Sequence, residues 1–136
     1  MTNDPKLGDL QHAIMRVLWE RGEASVAEVH QALFAERGLA PTTIATMLAK
    51  MEKKGVVARR MEGRQFRYEA AVSEEEVQSS MVSDLTSRLF DGNAAALVNH
   101  LLTAQEIDRD ELAEIQRLID AHADGRRKRA KRGGPR

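Results

Sequence analysis

The sequence predicts a mainly α-helical fold with one small β-hairpin, arranged in two units. Three observations predict it. Three apolar stripes of helical period occupy the first 55 residues, and each is closed by a glycine. Two short segments flanking Met61-Glu62-Gly63-Arg64 read as the strands of a hairpin. The chain from Ser73 to Asp124 is again helical in period and carries most of the acid.

Leu7 to Arg21 reads as the first helix. Leu10, Ala13, Ile14, Val17 and Leu18 make its buried stripe, and Gly22 is placed to end it. Trp19, the only tryptophan, is assigned to packing. After a polar link, Glu23-Ala24, Ser25 and Glu28 have the spacing of a capping box, which starts the second helix at Val26. Val29, Ala32 and Leu33 continue its stripe and Gly38 closes it. Leu39-Ala40 then turn into the third helix. Pro41 suits its start, because the missing N–H has no helical partner there.

The third helix, closed by Gly55, has two unlike faces. Ile44, Met47, Leu48 and Met51 recur at the spacing of a buried side. The opposite side holds Thr42, Thr46, Ala49 and Lys53, flanked by Thr43 and Lys50, with Glu52 as the only acid, near the edge. A slim, hydroxyl-bearing, basic face suits close approach to a polyanion, as major-groove reading requires. An ordinary amphipathic helix with a threonine-rich outer side is the plain alternative. Val56 to Arg60 reads as a strand, Met61 to Arg64 as a turn, and Gln65 to Glu69 as the returning strand, with Phe66 and Tyr68 on one face. A basic hairpin directly after the third helix completes a winged helix-turn-helix over residues 1–72. Arg60 and Arg64 are expected at or near the wing tip, within reach of phosphates.

Residues 73–124 form a second, all-helical unit. Ser73 and Glu76 have capping-box spacing, and Val77, Met81, Leu85 and Leu89 step down one side of a fourth helix ended by Asp91-Gly92. Asn93 caps a fifth helix with Leu97, Val98, Leu101 and Leu102 apolar. Asp108 and Glu111 cap a sixth, with Leu112, Ile115, Leu118 and Ile119 apolar. Some fifty residues of this kind cannot easily bury their own apolar faces, so pairing with a second copy is expected. Packing back onto the first unit is the alternative. Residues 125–136 are too charged and too poor in apolar side chains to fold, and are expected to form a basic disordered tail.

The formal charge of zero conceals segregation. Residues 1–39 hold four basic and six acidic side chains, 40–68 seven and two, 69–124 three and thirteen, and 125–136 seven and none. The block containing the threonine-rich helix and the hairpin is therefore the one suited to a polyanion. The absence of cysteine excludes disulfides and thiolate metal sites and fits a cytoplasmic location. No apolar run reaches 18 residues, so no membrane insertion is expected, and the polar N-terminus lacks a signal-peptide centre. There is no phosphate loop, nucleophile elbow or HExxH motif. His12, His30, His100 and His122 fall one per helix without ligand spacing. Neither an enzyme, a cofactor nor a metal is expected.

Three ordered motifs resemble the BlaI/MecI-type penicillinase repressors, a winged-helix family that also includes CopY-type copper repressors. They are Ile14-Met15-x-x-Leu18-Trp19, the run from Pro41 through Thr43-Ile44-x-Thr46-Met47-Leu48-x-Lys50-Met51 to Gly55, and Gly63-Arg64-x-Phe66-x-Tyr68. Phe90-Asp91-Gly92, Leu97-Val98 and Asp110-Glu111-Leu112 extend the likeness into the helical unit. The resemblance implies a homodimeric repressor on double-stranded DNA, bound to an inverted-repeat operator and excluding RNA polymerase. It nominates Thr42, Thr43, Thr46 and Lys50, with Lys53 beside them, for the groove, and Arg60, Arg64 and Arg67 for phosphates. It implies that the last helices hold the dimer, which assigns Val77, Met81, Leu85, Leu89, Leu97, Leu101, Leu112, Ile115 and Ile119 to that contact. Copper-sensing members carry a cysteine cluster that this chain lacks. β-Lactam-responsive members are cut by a membrane sensor protease at an Asn-Phe bond in the fifth helix, where this chain has His100-Leu101, with Asn99 one residue earlier. A small-molecule-sensing winged-helix regulator and a protein-interaction module remain as alternative functions.

Overall fold

The computed structural model describes residues 7–104 and 106–133, the side chains from 127 onward excepted. Among the described residues, six helices and three short strands run in the order α1 (Asp9–Arg21), β1 (Ala24–Ser25), α2 (Val26–Arg37), α3 (Pro41–Lys54), β2 (Val57–Glu62), β3 (Gln65–Ala70), α4 (Glu74–Phe90), α5 (Ala94–Ala104) and α6 (Arg109–Gly133). The chain divides into two compact units between Gly92 and Asn93. Helix α4 thus groups with the winged helix, whereas the sequence pattern places the boundary after residue 72.

In the first unit, α1, α2 and α3 pack against an antiparallel sheet of order β1-β3-β2. Ile14, Met15, Leu18, Val29, Ile44, Leu48, Met51 and Val56 are its largest fully buried side chains. Met15 lies outside the expected stripe because α1 is covered on two sides, by the other helices and by β3. Each of the first three helices ends where a glycine can take positive φ: Gly22 at 87°, Gly38 at 59° and Gly55 at 91°. The capping box of α2 is formed in both directions. Ser25 Oγ accepts from the Glu28 N–H at 3.2 Å, and the Ser25 N–H donates to Glu28 Oε1 at 2.9 Å. Ser73 caps α4 by accepting from the Glu76 N–H, but the Glu76 carboxylate accepts from the Ser73 hydroxyl and not from its N–H.

Two features of this unit differ from the sequence pattern. Ala24-Ser25, expected as link and cap, also pairs with Tyr68 and Arg67 as a third strand. The wing turn comprises Gly63 and Arg64 alone, since Met61 and Glu62 extend β2 to pair with Phe66 and Gln65. Trp19 packs, as expected, and also donates from Nε1 to the Val72 carbonyl at 2.9 Å, tying α1 to the chain leading into α4.

In the second unit, Asn93 Oδ1 accepts from the Ala96 N–H and Asp108 Oδ1 from the Glu111 N–H, so both helices have side-chain caps. The backbone of α6 stays helical through Gly125 to Gly133, where an unfolded tail from residue 125 was expected. Arginine, lysine and alanine are good helix formers, and one interior glycine costs only about 1 kcal/mol. Cations in a last turn also suit the helix dipole. Residues 134–136 of the tail lie outside the described residues. No described residue of α5 or α6 is buried.

Candidate nucleic-acid interface

Helix α3 turns Ile44, Leu48 and Met51 into the core and leaves Thr42, Thr43, Thr46, Ala49, Lys50 and Lys53 exposed. Its two faces are therefore those that the spacing predicts. The core-side anchors include Gln11, whose amide contacts Met47 Sδ at 3.3 Å and Lys54 Nζ at 3.4 Å. The only acid on the helix, Glu52, is drawn sideways into an ion pair with Arg59 of β2 at 3.0 Å. Arg59 is itself braced over the Phe66 ring, 4.1 Å from its centroid. The exposed ridge is thus left with hydroxyls, a methyl and two cations, Lys50 and Lys53, which make no ion pair among the described residues. Such a surface can approach a polyanion without first breaking contacts of its own.

The wing divides its arginines. Arg64 stands exposed in the two-residue turn and makes no ion pair among the described residues. Arg60 lies below the tip, inside β2 and directly opposite Arg67 of β3. Both guanidiniums are engaged with carboxylates. Arg60 donates from Nε and Nη2 to the two oxygens of Glu23, at 2.9 and 2.8 Å, and reaches Glu62 at 3.3 Å. Arg67, whose side chain is only 19% exposed, pairs with Glu28 at 3.0 Å and with Glu23 and Glu62 at 3.5 Å. The Arg60 hydrogen bond holds the Glu23 carboxyl below its ordinary value, with Arg67 adding to the effect. The Ser25 backbone N–H and hydroxyl do the same for Glu28, helped by Arg67. Arg60 is pushed further up in turn, chiefly by its hydrogen bond to Glu23. Sequence inspection alone misses Glu23, and it finds Glu28 only as a helix cap and not as a counter-charge to Arg67. The signal was the cross-strand register, which sets two arginines face to face and so demands counter-charge.

The apolar side chains assigned to a dimer contact divide as well. Val77 is buried in the core of the first unit and is not available to a partner. Met81, Leu85 and Leu89 on α4 are exposed, as are Leu101, Leu112 and Ile119 in the second unit, while Leu97 and Ile115 are half-buried. His100 and Leu101 both lie exposed on α5. Among the described residues, no group of three His, Asp or Glu side chains could hold a metal ion, and no helix is long and apolar enough to cross a membrane.

Residues 7–121 match the family model described as the penicillinase repressor. The chain is 33% identical over 117 residues to the transcriptional regulator BlaI of Mycobacterium tuberculosis, covering 84% of this chain and 83% of that protein. It is 25% identical over 122 residues to the penicillinase repressor of Bacillus licheniformis, covering 90% and 95%. Among solved structures it is similar to the DNA binding domain of the repressor BlaI, with a TM-score of 0.50 at 32% identity, over 56% of this chain and 93% of that one.

Proposed function

The chain belongs to the penicillinase repressor family, and on that premise we propose that it is a homodimeric transcriptional repressor acting in the cytoplasm on an inverted-repeat operator. The observation that carries the proposal is the state of the α3 ridge. Thr42, Thr43, Thr46, Lys50 and Lys53 are exposed together, and Glu52, the one carboxylate on the helix itself, is held aside by Arg59. In this reading α3 enters the major groove, its threonines and Lys50 meet base edges and phosphates, and Arg64 reaches the flanking backbone from the wing tip.

Two copies joined through the apolar side chains exposed on α4, α5 and α6 present two such ridges to one duplex. The dimer then excludes RNA polymerase by occupying the operator. Repression is relieved by an upstream signal. The His100-Leu101 step on α5 is the place where a membrane-bound sensor protease would cut. The reaction would be the protease's, and this chain does no chemistry of its own.

A fluorescence titration with the inverted repeat upstream of its own gene tests the proposal. Specific binding is expected to exceed scrambled DNA by about 10³ or more at matched salt. Equal affinity for both duplexes at every salt concentration would defeat it.

A further inference from the structure

Arg60 and Arg67 are direct cross-strand partners, so their guanidiniums share one face of the wing. Like charges in that position repel and destabilise a hairpin. The counter-charge comes mainly from outside the hairpin. Glu23, in the link between α1 and β1, grips Arg60 through two parallel hydrogen bonds of 2.9 and 2.8 Å and lies 3.5 Å from Arg67 Nε. Glu28 and Glu62 close the cluster. Three carboxylates thus face two guanidiniums, and the cluster has no cation to spare. The two-pronged fork that Glu23 occupies is the geometry in which an arginine takes a phosphate. Glu23 therefore holds the donors that a DNA backbone would use.

The backbone around Glu23 is fixed. Gly22 before it closes α1 with its N–H on the Leu18 carbonyl at 2.8 Å. Ala24 after it is fully buried and pairs with Tyr68. Glu23 cannot follow Arg60 outward toward a ligand, so a phosphate would have to take the guanidinium away from it.

We propose that Glu23 is a positioning residue that clamps the wing to the α1–β1 link and withholds Arg60 from DNA phosphates, while Glu28 keeps Arg67 engaged, leaving Arg64 as the wing's phosphate cation. This rests on the DNA-binding function proposed above. It makes the wing's charge a matter of Glu23 and not of the hairpin's own arginine count.

The test uses the full chain, with Glu23→Gln, Arg60→Ala, Arg64→Ala and the double variant Glu23→Gln/Arg60→Ala, each checked for fold by circular dichroism. Binding to a duplex of unrelated sequence is measured from about 50 to 200 mM salt, and log K is plotted against log salt. Arg64→Ala is expected to flatten the slope by about 0.9 per bound copy, while Arg60→Ala leaves it unchanged. Glu23→Gln frees Arg60 and steepens the slope by a similar amount, and adding Arg60→Ala returns it to the wild-type value. A merely structural salt bridge would lower stability in Glu23→Gln without steepening the slope. A flattened slope for Arg60→Ala alone, or an unchanged slope for Glu23→Gln, would overturn the clamp while leaving DNA binding intact. Failure of the wild-type chain to bind any duplex would overturn the DNA-binding function and the clamp with it.

Discussion

Leu101→Ala is expected to weaken self-association while sparing the winged helix. In the single chain Leu101 on α5 is 43% exposed. Fully burying a leucine contributes about 1.5–3 kcal/mol, so covering the remaining share in a dimer contributes roughly 0.6–1.3 kcal/mol per copy. A symmetric contact counts it twice, roughly 1.3–2.6 kcal/mol, which is about a ten- to eightyfold rise in the dimer dissociation constant. Leu101→Asp goes further, because an unpaired charge in an apolar contact costs several kcal/mol. Sedimentation velocity over a concentration series reads both. At concentrations where the chain is monomeric, the melting of the first unit, followed by Trp19 fluorescence, should hardly change, since Leu101 is outside that unit. A dissociation constant unchanged in both variants would refute the assignment of α5 to the contact.

Three further outcomes follow from the first unit. Ser25→Ala removes the hydroxyl that accepts the Glu28 N–H and should cost about 1 kcal/mol. That is a fall of about 4–8 °C in the thermal midpoint of a domain this size, and an unchanged melt would mean that the cap does not matter. Thr46→Glu sets a like charge against phosphates and should cost several kcal/mol of duplex affinity, whereas Lys50→Ala should flatten the salt slope by about 0.9 per bound copy; both are read by the same titration, and normal affinity in the first would argue against groove entry. The carboxyls of Glu23 and Glu28 are held below the ordinary value of 4.5, so their contribution is present above that value and is lost as pH falls through the lowered one. The melting difference between wild type and Glu23→Gln should therefore be constant near neutrality and close only in acid, and a difference that closed between about pH 6 and pH 8 would contradict the cluster geometry.

Much of the fold could be read in the sequence because its signals are local. The glycines after α1, α2 and α3, the Ser25–Glu28 spacing and the two faces of α3 each depend on residues a few positions apart. What escaped depends on distance along the chain. Two residues of β1 show no periodicity of their own, and their pairing with β3 exists only once the hairpin has folded back. The Glu23–Arg60 fork spans 37 positions, so Arg60 looks like a free cation until the register is known. Val77 follows the same four-residue spacing as Met81 and Leu85, yet it packs into the first unit's core while they stay exposed. Spacing reports which side chains share a helix face. It does not report which neighbour covers that face.

Guanine N7 lies in the major groove, so its methylation on an operator duplex reports groove occupancy directly. With the wild-type chain bound to the inverted repeat, N7 protection is expected in both half-sites, on one face of the duplex and about one helical turn apart, roughly 34 Å. Protection should be lost in Thr46→Glu. A saturated complex in which N7 stays fully reactive would contradict entry of α3 into the groove.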